Sequence, residues 1–73
     1  MTRIEAERKR RGWTQTELAF FAQMHQPDVS RIERGIQKPT ADRRQRLSRV
    51  LGVPPDRLLD EVELRDEAQT VAQ

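Results

Sequence analysis

The run QTELAFFAQMHQPDVSRIERG, from Gln15 to Gly35, decides the fold. Thr14 precedes it and Glu17 follows Thr14 by three positions, the spacing at which a hydroxyl and a carboxylate cap a helix start reciprocally. Trp13 before that cap and Leu18 after it are placed to form a hydrophobic staple. A helix therefore opens after Thr14 and runs to about Ala22. Pro27 suits the first turn of a second helix, where a missing amide costs nothing, and Gly35 closes that helix roughly nine residues later. Gln23, Met24, His25 and Gln26 join the two helices, and this short connection has the spacing of a helix-turn-helix.

The same punctuation extends outward. Thr2 with Glu5 repeats the capping spacing, and Arg8 to Arg11 place four cations on a last turn before Gly12, where they complement the negative helix end; residues 3–11 read as helix 1. Pro39 and Thr40 break and then cap the chain. Asp42 sits in the first turn that follows, and Leu47, Val50 and Leu51 form an apolar stripe ending at Gly52, giving helix 4. Pro54, Pro55 and Asp56 open a short fifth helix carrying Leu58 and Leu59. No segment alternates apolar and polar residues as a half-buried strand would. The expected fold is all-α with five short helices, helices 2 and 3 forming the helix-turn-helix. Residues 1–59 make the domain, and residues 60–73 form an acidic tail that either extends a helix or stays disordered.

Seventy-three residues build one small domain. Charged residues make up 36%, apolar residues 34% and aromatics 4%, which suits a thin core under a solvated shell. Such a core nets about 3–5 kcal/mol. With no cysteine there is no disulfide and no thiolate metal site. His25 is the lone histidine, so no tetrahedral site can be assembled; metals and cofactors are not expected. The longest apolar stretch, Leu18 to Ala22, is far short of a membrane span, and the first residues are charged where a secretion signal is apolar. The expected location is the cytoplasm.

A net charge of +2 conceals an asymmetry: residues 1–53 carry 12 Lys or Arg against 6 Asp or Glu, and residues 54–73 carry 2 against 6. A basic body points to a polyanionic partner. On helix 3, Val29 and Ile32 share the face that packs inward, against helix 2 where Ala19 permits close approach. The opposite face carries Gln26, Asp28, Arg31 and Arg34. An α-helix fits the major groove, where Arg pairs with guanine, Gln with adenine and Asp with the cytosine amino group.

These residues resemble the phage-repressor and Cro type of helix-turn-helix, the XRE family. The resemblance is carried by Gln15, Glu17-Leu18-Ala19, Ser30-Arg31-Ile32-Glu33-Arg34-Gly35, Pro39, Leu51-Gly52-Val53 and Leu58-Leu59, and spans about residues 4–59. It implies a lambda-repressor-like five-helix bundle with base contacts from Gln26, Pro27, Asp28 and Arg31. It also implies phosphate contacts from Gln15 and Arg34, with Lys38 in the following loop, and a buried pair between Arg8 and Glu33. Several positions keep two readings. Gln26 reads adenine or caps helix 3, since Pro27 disfavours helical geometry before it. Pro27 meets a thymine methyl or starts the helix. Asp28 reads cytosine or stabilises the positive helix end. Gln23 stands where the family usually has glycine, which costs about 1 kcal/mol if that turn needs a positive φ.

Helix 4 bears Arg44 on its apolar stripe, and Arg43, Arg46 and Arg49 read as a solvated face or a second phosphate surface. Phe20 and Phe21 cannot both face the core, so at least one is exposed. The function expected is a sequence-specific, double-stranded DNA-binding transcriptional regulator, acting as a repressor. A single module buries too little surface for tight selectivity, so a homodimer on a pseudo-palindromic operator is expected, with Val50, Leu58, Leu59 and Val62 as its interface. The alternative is an antitoxin-type protein-interaction module that also binds DNA, with a toxin as partner. An enzyme is not expected: no pocket surrounds the carboxylates, and there is no cysteine or tyrosine.

Overall fold

The structure is a computed structural model, and it describes residues 1–63. Among these residues there are four α-helices, α1 Arg3–Arg10, α2 Gln15–Ala22, α3 Gln26–Glu33 and α4 Ala41–Leu51, followed by a single 3-10 turn at Pro55–Arg57. The fifth helix expected from the sequence is thus only this turn. The chain beyond it pairs with the start of α1, which takes the Leu58 and Asp60 carbonyls for the Ile4 and Arg3 amides, so they are not left to a continuing helix.

Side-chain caps start three of the four helices. Thr2 and Thr14 accept from the amides of Glu5 and Glu17, Thr40 accepts from that of Arg43, and Glu17 returns the bond to the Thr14 amide, completing a capping box. Thr2 has a second task. Its hydroxyl donates to the Glu33 carbonyl at 2.9 Å, tying the start of α1 to the end of α3. α3 opens differently: His25, not Gln26, occupies the N-cap, with no side-chain bond, and Pro27 falls within the first turn. Gln26 is therefore the first helical residue and not the cap: Pro27 follows it within the first turn, where no helical carbonyl awaits the missing amide, and the bias of a proline against a helical residue before it is overridden.

The core is one cluster formed by Ile4, Leu18, Ala19, Ala22, Val29, Ile32, Leu47, Leu51, Val53 and Leu58, with Trp13, Met24 and Val50 packed at its edge. Leu58 is 1% exposed, which removes it from the expected dimer surface: the 3-10 turn directs it inward onto α1 and α4, while Leu59 remains exposed. The segment after the turn runs antiparallel to the start of the chain. The Leu58 and Asp60 carbonyls accept from the Ile4 and Arg3 amides, and the Val62 amide donates to the Met1 carbonyl. The first amides of α1, which no helical carbonyl can reach, are satisfied in this way. Residues 60–63 are not helical; the rest of the acidic tail, residues 64–73, lies outside the described residues. No helix among the described residues is long and apolar enough to cross a membrane.

Candidate nucleic-acid interface

α3 is held by its own inner face. Val29, Ile32 and Glu33 are buried, while Gln26, Pro27, Arg31 and Arg34 on the outer side are exposed and Asp28 is half-buried. The turn that sets its angle to α2 depends on Gln23, at φ 57° and ψ 51°, the one non-glycine residue in the left-handed region among those described. This backbone costs a side-chain-bearing residue about 1 kcal/mol relative to glycine. Arg46 of α4 donates to the Gln23 carbonyl at 2.9 Å and pairs with Asp42 at 2.8 Å, so the strained turn is clamped from across the domain. Arg46, expected on a solvated or phosphate-contacting face, is half-buried because its guanidinium reaches back to the end of α2.

Beneath α3 lies a continuous polar chain. Arg8 grips Glu33 through two parallel bonds, Nε to Oε2 at 2.6 Å and Nη2 to Oε1 at 3.1 Å, and its Nη1 donates to the Trp13 carbonyl at 2.8 Å. Glu33 is 2% exposed. Its Oε1 also accepts from Gln15 Nε2 at 3.0 Å, and Gln15 Oε1 accepts from Gln26 Nε2 at 2.8 Å. The donor and acceptor logic is strict: a carboxylate only accepts, so Gln15 must turn its amino group inward and offer its oxygen to Gln26. Gln26 keeps its carbonyl oxygen and one N–H, the pair with which an amide side chain contacts adenine in the major groove.

Arg34 and Lys38 are exposed and have no carboxylate partner among the described residues, so their charges are available to phosphates. Arg31 is exposed and pairs with Asp28 at 3.2 Å. Asp28 also receives Gln37 and faces Arg43, two neighbours that sequence spacing does not reveal because they come from the loop and from α4. Of the expected interface residues, Leu59 is exposed, and Val50 and Val62 are half-buried. His25 is exposed, and no group of three metal-ligating side chains occurs among the described residues. Away from this face, Phe20 is 77% and Phe21 45% exposed. The Phe21 ring lies 4.6 Å from that of Trp13, tilted by 44°, and meets Phe20 edge to face at 5.7 Å, and Arg11 lies over the Trp13 ring.

A polar helix pinned across its predecessor by buried branched residues, with its outer side presenting amide and guanidinium groups, defines a helix-turn-helix nucleic-acid-binding domain. The helix-turn-helix family model matches residues 4–58, and the chain belongs to this family, the XRE-type DNA-binding regulators of transcription. Among solved structures, it is similar to a chain of the SinR protein/SinI protein complex, with a TM-score of 0.71 and 32% identity over 96% of this chain and 71% of that one. Comparison with curated proteins gives no match.

Proposed function

We propose that this chain is a sequence-specific repressor that lays α3 along the major groove of double-stranded DNA as a homodimer. The observation that carries the reading is the outward face of α3: Gln26, Pro27, Arg31 and Arg34 stand exposed on a helix whose other side is locked by Val29, Ile32 and Glu33. In this reading Arg31 pairs with guanine, Gln26 with adenine, and Pro27 lies against a thymine methyl. Gln15, Arg34 and Lys38 hold phosphates and so set register and affinity. Two copies are needed because one module buries too little surface to be selective. Leu59, Val50 and Val62 form the contact between them, and repression follows from occupying a site that polymerase needs. The setting is the cytoplasm, where such a protein meets DNA.

Selection of bound duplexes from a random pool at 150 mM salt, with stoichiometry recorded, tests this. The expected product is a pseudo-palindrome with half-sites about 34 Å apart, bound by two chains. A pool that emerges without enrichment refutes it.

A second reading is favoured by the aromatic patch. Phe20 and Phe21 present more apolar surface than a solvated helix face requires, and a protein of similar fold occurs in the SinR protein/SinI protein complex. In that reading the chain is an antitoxin-type module whose patch covers a toxin while α3 binds DNA. Relief of a toxin's growth inhibition by the wild-type chain, lost in Phe20→Ser/Phe21→Ser with DNA binding retained, is the outcome expected of it. Equal relief by both proteins removes it.

A further inference from the structure

Asp28 stands among the outward residues of α3, yet both its oxygens are engaged. Oδ1 accepts from Arg31 Nη1 at 3.2 Å and from Gln37 Nε2 at 3.4 Å, and Oδ2 lies 3.5 Å from Arg43 Nη2. Its side chain is 19% exposed, against 46% for Arg31. Three pieces of the fold therefore meet on one carboxylate: α3, the loop after it, and α4. An acid that reads a cytosine amino group needs an oxygen turned outward and unshared; this one is turned sideways, towards cations.

We propose that Asp28 is a positioning residue that fixes the guanidinium of Arg31 for bidentate recognition of one guanine, itself anchored by Gln37 and Arg43. The inference rests on the DNA-reading function proposed above. Arg31 is three residues beyond Asp28 on the same helix face, so an extended arginine can be held without leaving its own helix. Among the described residues, only one of its five N–H groups is taken. The Nε and Nη2 edge has no partner among the described residues and forms the fork that matches guanine O6 and N7. An arginine free to swing contacts phosphate as readily as base; one held by a carboxylate is aimed. The anchoring from outside the helix is what distinguishes this arrangement from a simple surface ion pair. Arg43 and Gln37 approach Asp28 from other elements, so the carboxylate stays in place when Arg31 engages DNA.

A carboxylate facing a polyanion lowers affinity for every duplex through like-charge repulsion, whatever the sequence. Positioning and simple repulsion therefore predict different outcomes for the full chain carrying Asp28→Ala. Affinities are measured at 150 mM salt for the selected duplex and its single-base-pair variants, using wild type, Arg31→Ala, Asp28→Ala and the double variant, with thermal unfolding of each. Arg31→Ala identifies the guanine. Asp28→Ala is expected to reduce discrimination at that same base pair by about two- to fivefold, leave the other positions unchanged, and add nothing to the loss in the double variant. Gln37→Ala is expected to give part of the same loss. Asp28→Asn, which keeps the shape, serves if the alanine variant unfolds.

A uniform gain in affinity with discrimination intact shows a charge effect alone and overturns the proposal. Loss of preference at a base pair that Arg31→Ala does not touch shows that Asp28 reads a base itself, and overturns it equally. If the wild type selects no duplex, the DNA-reading function fails and this inference with it; if the wild type selects and Asp28→Ala keeps full discrimination, only the inference falls.

Discussion

Replacing Arg8 by alanine removes three hydrogen bonds at once: two to Glu33 and one to the Trp13 carbonyl. Glu33 is 2% exposed, and after the substitution its carboxylate keeps one side-chain donor, Gln15. Removing one partner of a buried ion pair costs about 3–5 kcal/mol, because the remaining charge cannot return to water. The Gln15 bond and the position of Arg8 at the edge of the core place the expected cost at the lower end, about 3 kcal/mol. Since the domain holds about 3–5 kcal/mol in total, Arg8→Ala should leave a substantial unfolded population at 25 °C. Urea titration followed by the fluorescence of Trp13, the only tryptophan, measures this directly. A double replacement, Arg8→Met with Glu33→Leu, should recover most of the stability, because no charge is then buried alone. A midpoint shift for Arg8→Ala worth less than about 1 kcal/mol at an unchanged slope would show two solvated charges instead, and would refute the reasoning.

Lys38→Ala should weaken binding to all duplexes alike and lower the salt slope by about one unit; a change confined to sequence preference would contradict its phosphate role. Gln23→Gly should raise the melting temperature by about 2–6 °C through relief of the left-handed backbone, partly offset by greater freedom of the unfolded chain, as thermal unfolding by circular dichroism will show. Leu58→Ala should cost about 2–5 kcal/mol and unfold much of the protein, whereas Leu59→Ala should leave stability nearly unchanged and reduce self-association measured by sedimentation.

The starts of α1, α2 and α4 were legible because their chemistry is local, whereas α3 opens at His25 with no side-chain cap to announce it. A threonine three residues before a glutamate states its own cap, and the boundaries of α2 and α4 follow from Thr14 and Thr40 without reference to the rest of the chain. The identities of the exposed α3 residues were legible for a similar reason, since Val29 and Ile32 fix which face turns inward. What the residues alone did not disclose are contacts between elements distant in sequence. Arg46 reaching the Gln23 carbonyl, Thr2 reaching that of Glu33, and Arg43 facing Asp28 depend on how helices cross, and spacing along one helix carries no trace of that. The burial of Leu58 is hidden from the sequence for the same reason. Next to Leu59, with two prolines before them, either leucine fits the inner side, and the pairing of the segment with the first residues of α1 decides between them.

The central claim concerns which side of α3 meets the partner. Nuclear magnetic resonance of the labelled chain bound to its selected duplex measures this without mutation. The account predicts intermolecular contacts between major-groove base protons and the side chains of Gln26, Pro27 and Arg31, with backbone shifts near Gln15, Arg34 and Lys38. Contacts confined to another face, with the α3 resonances unmoved, would contradict it.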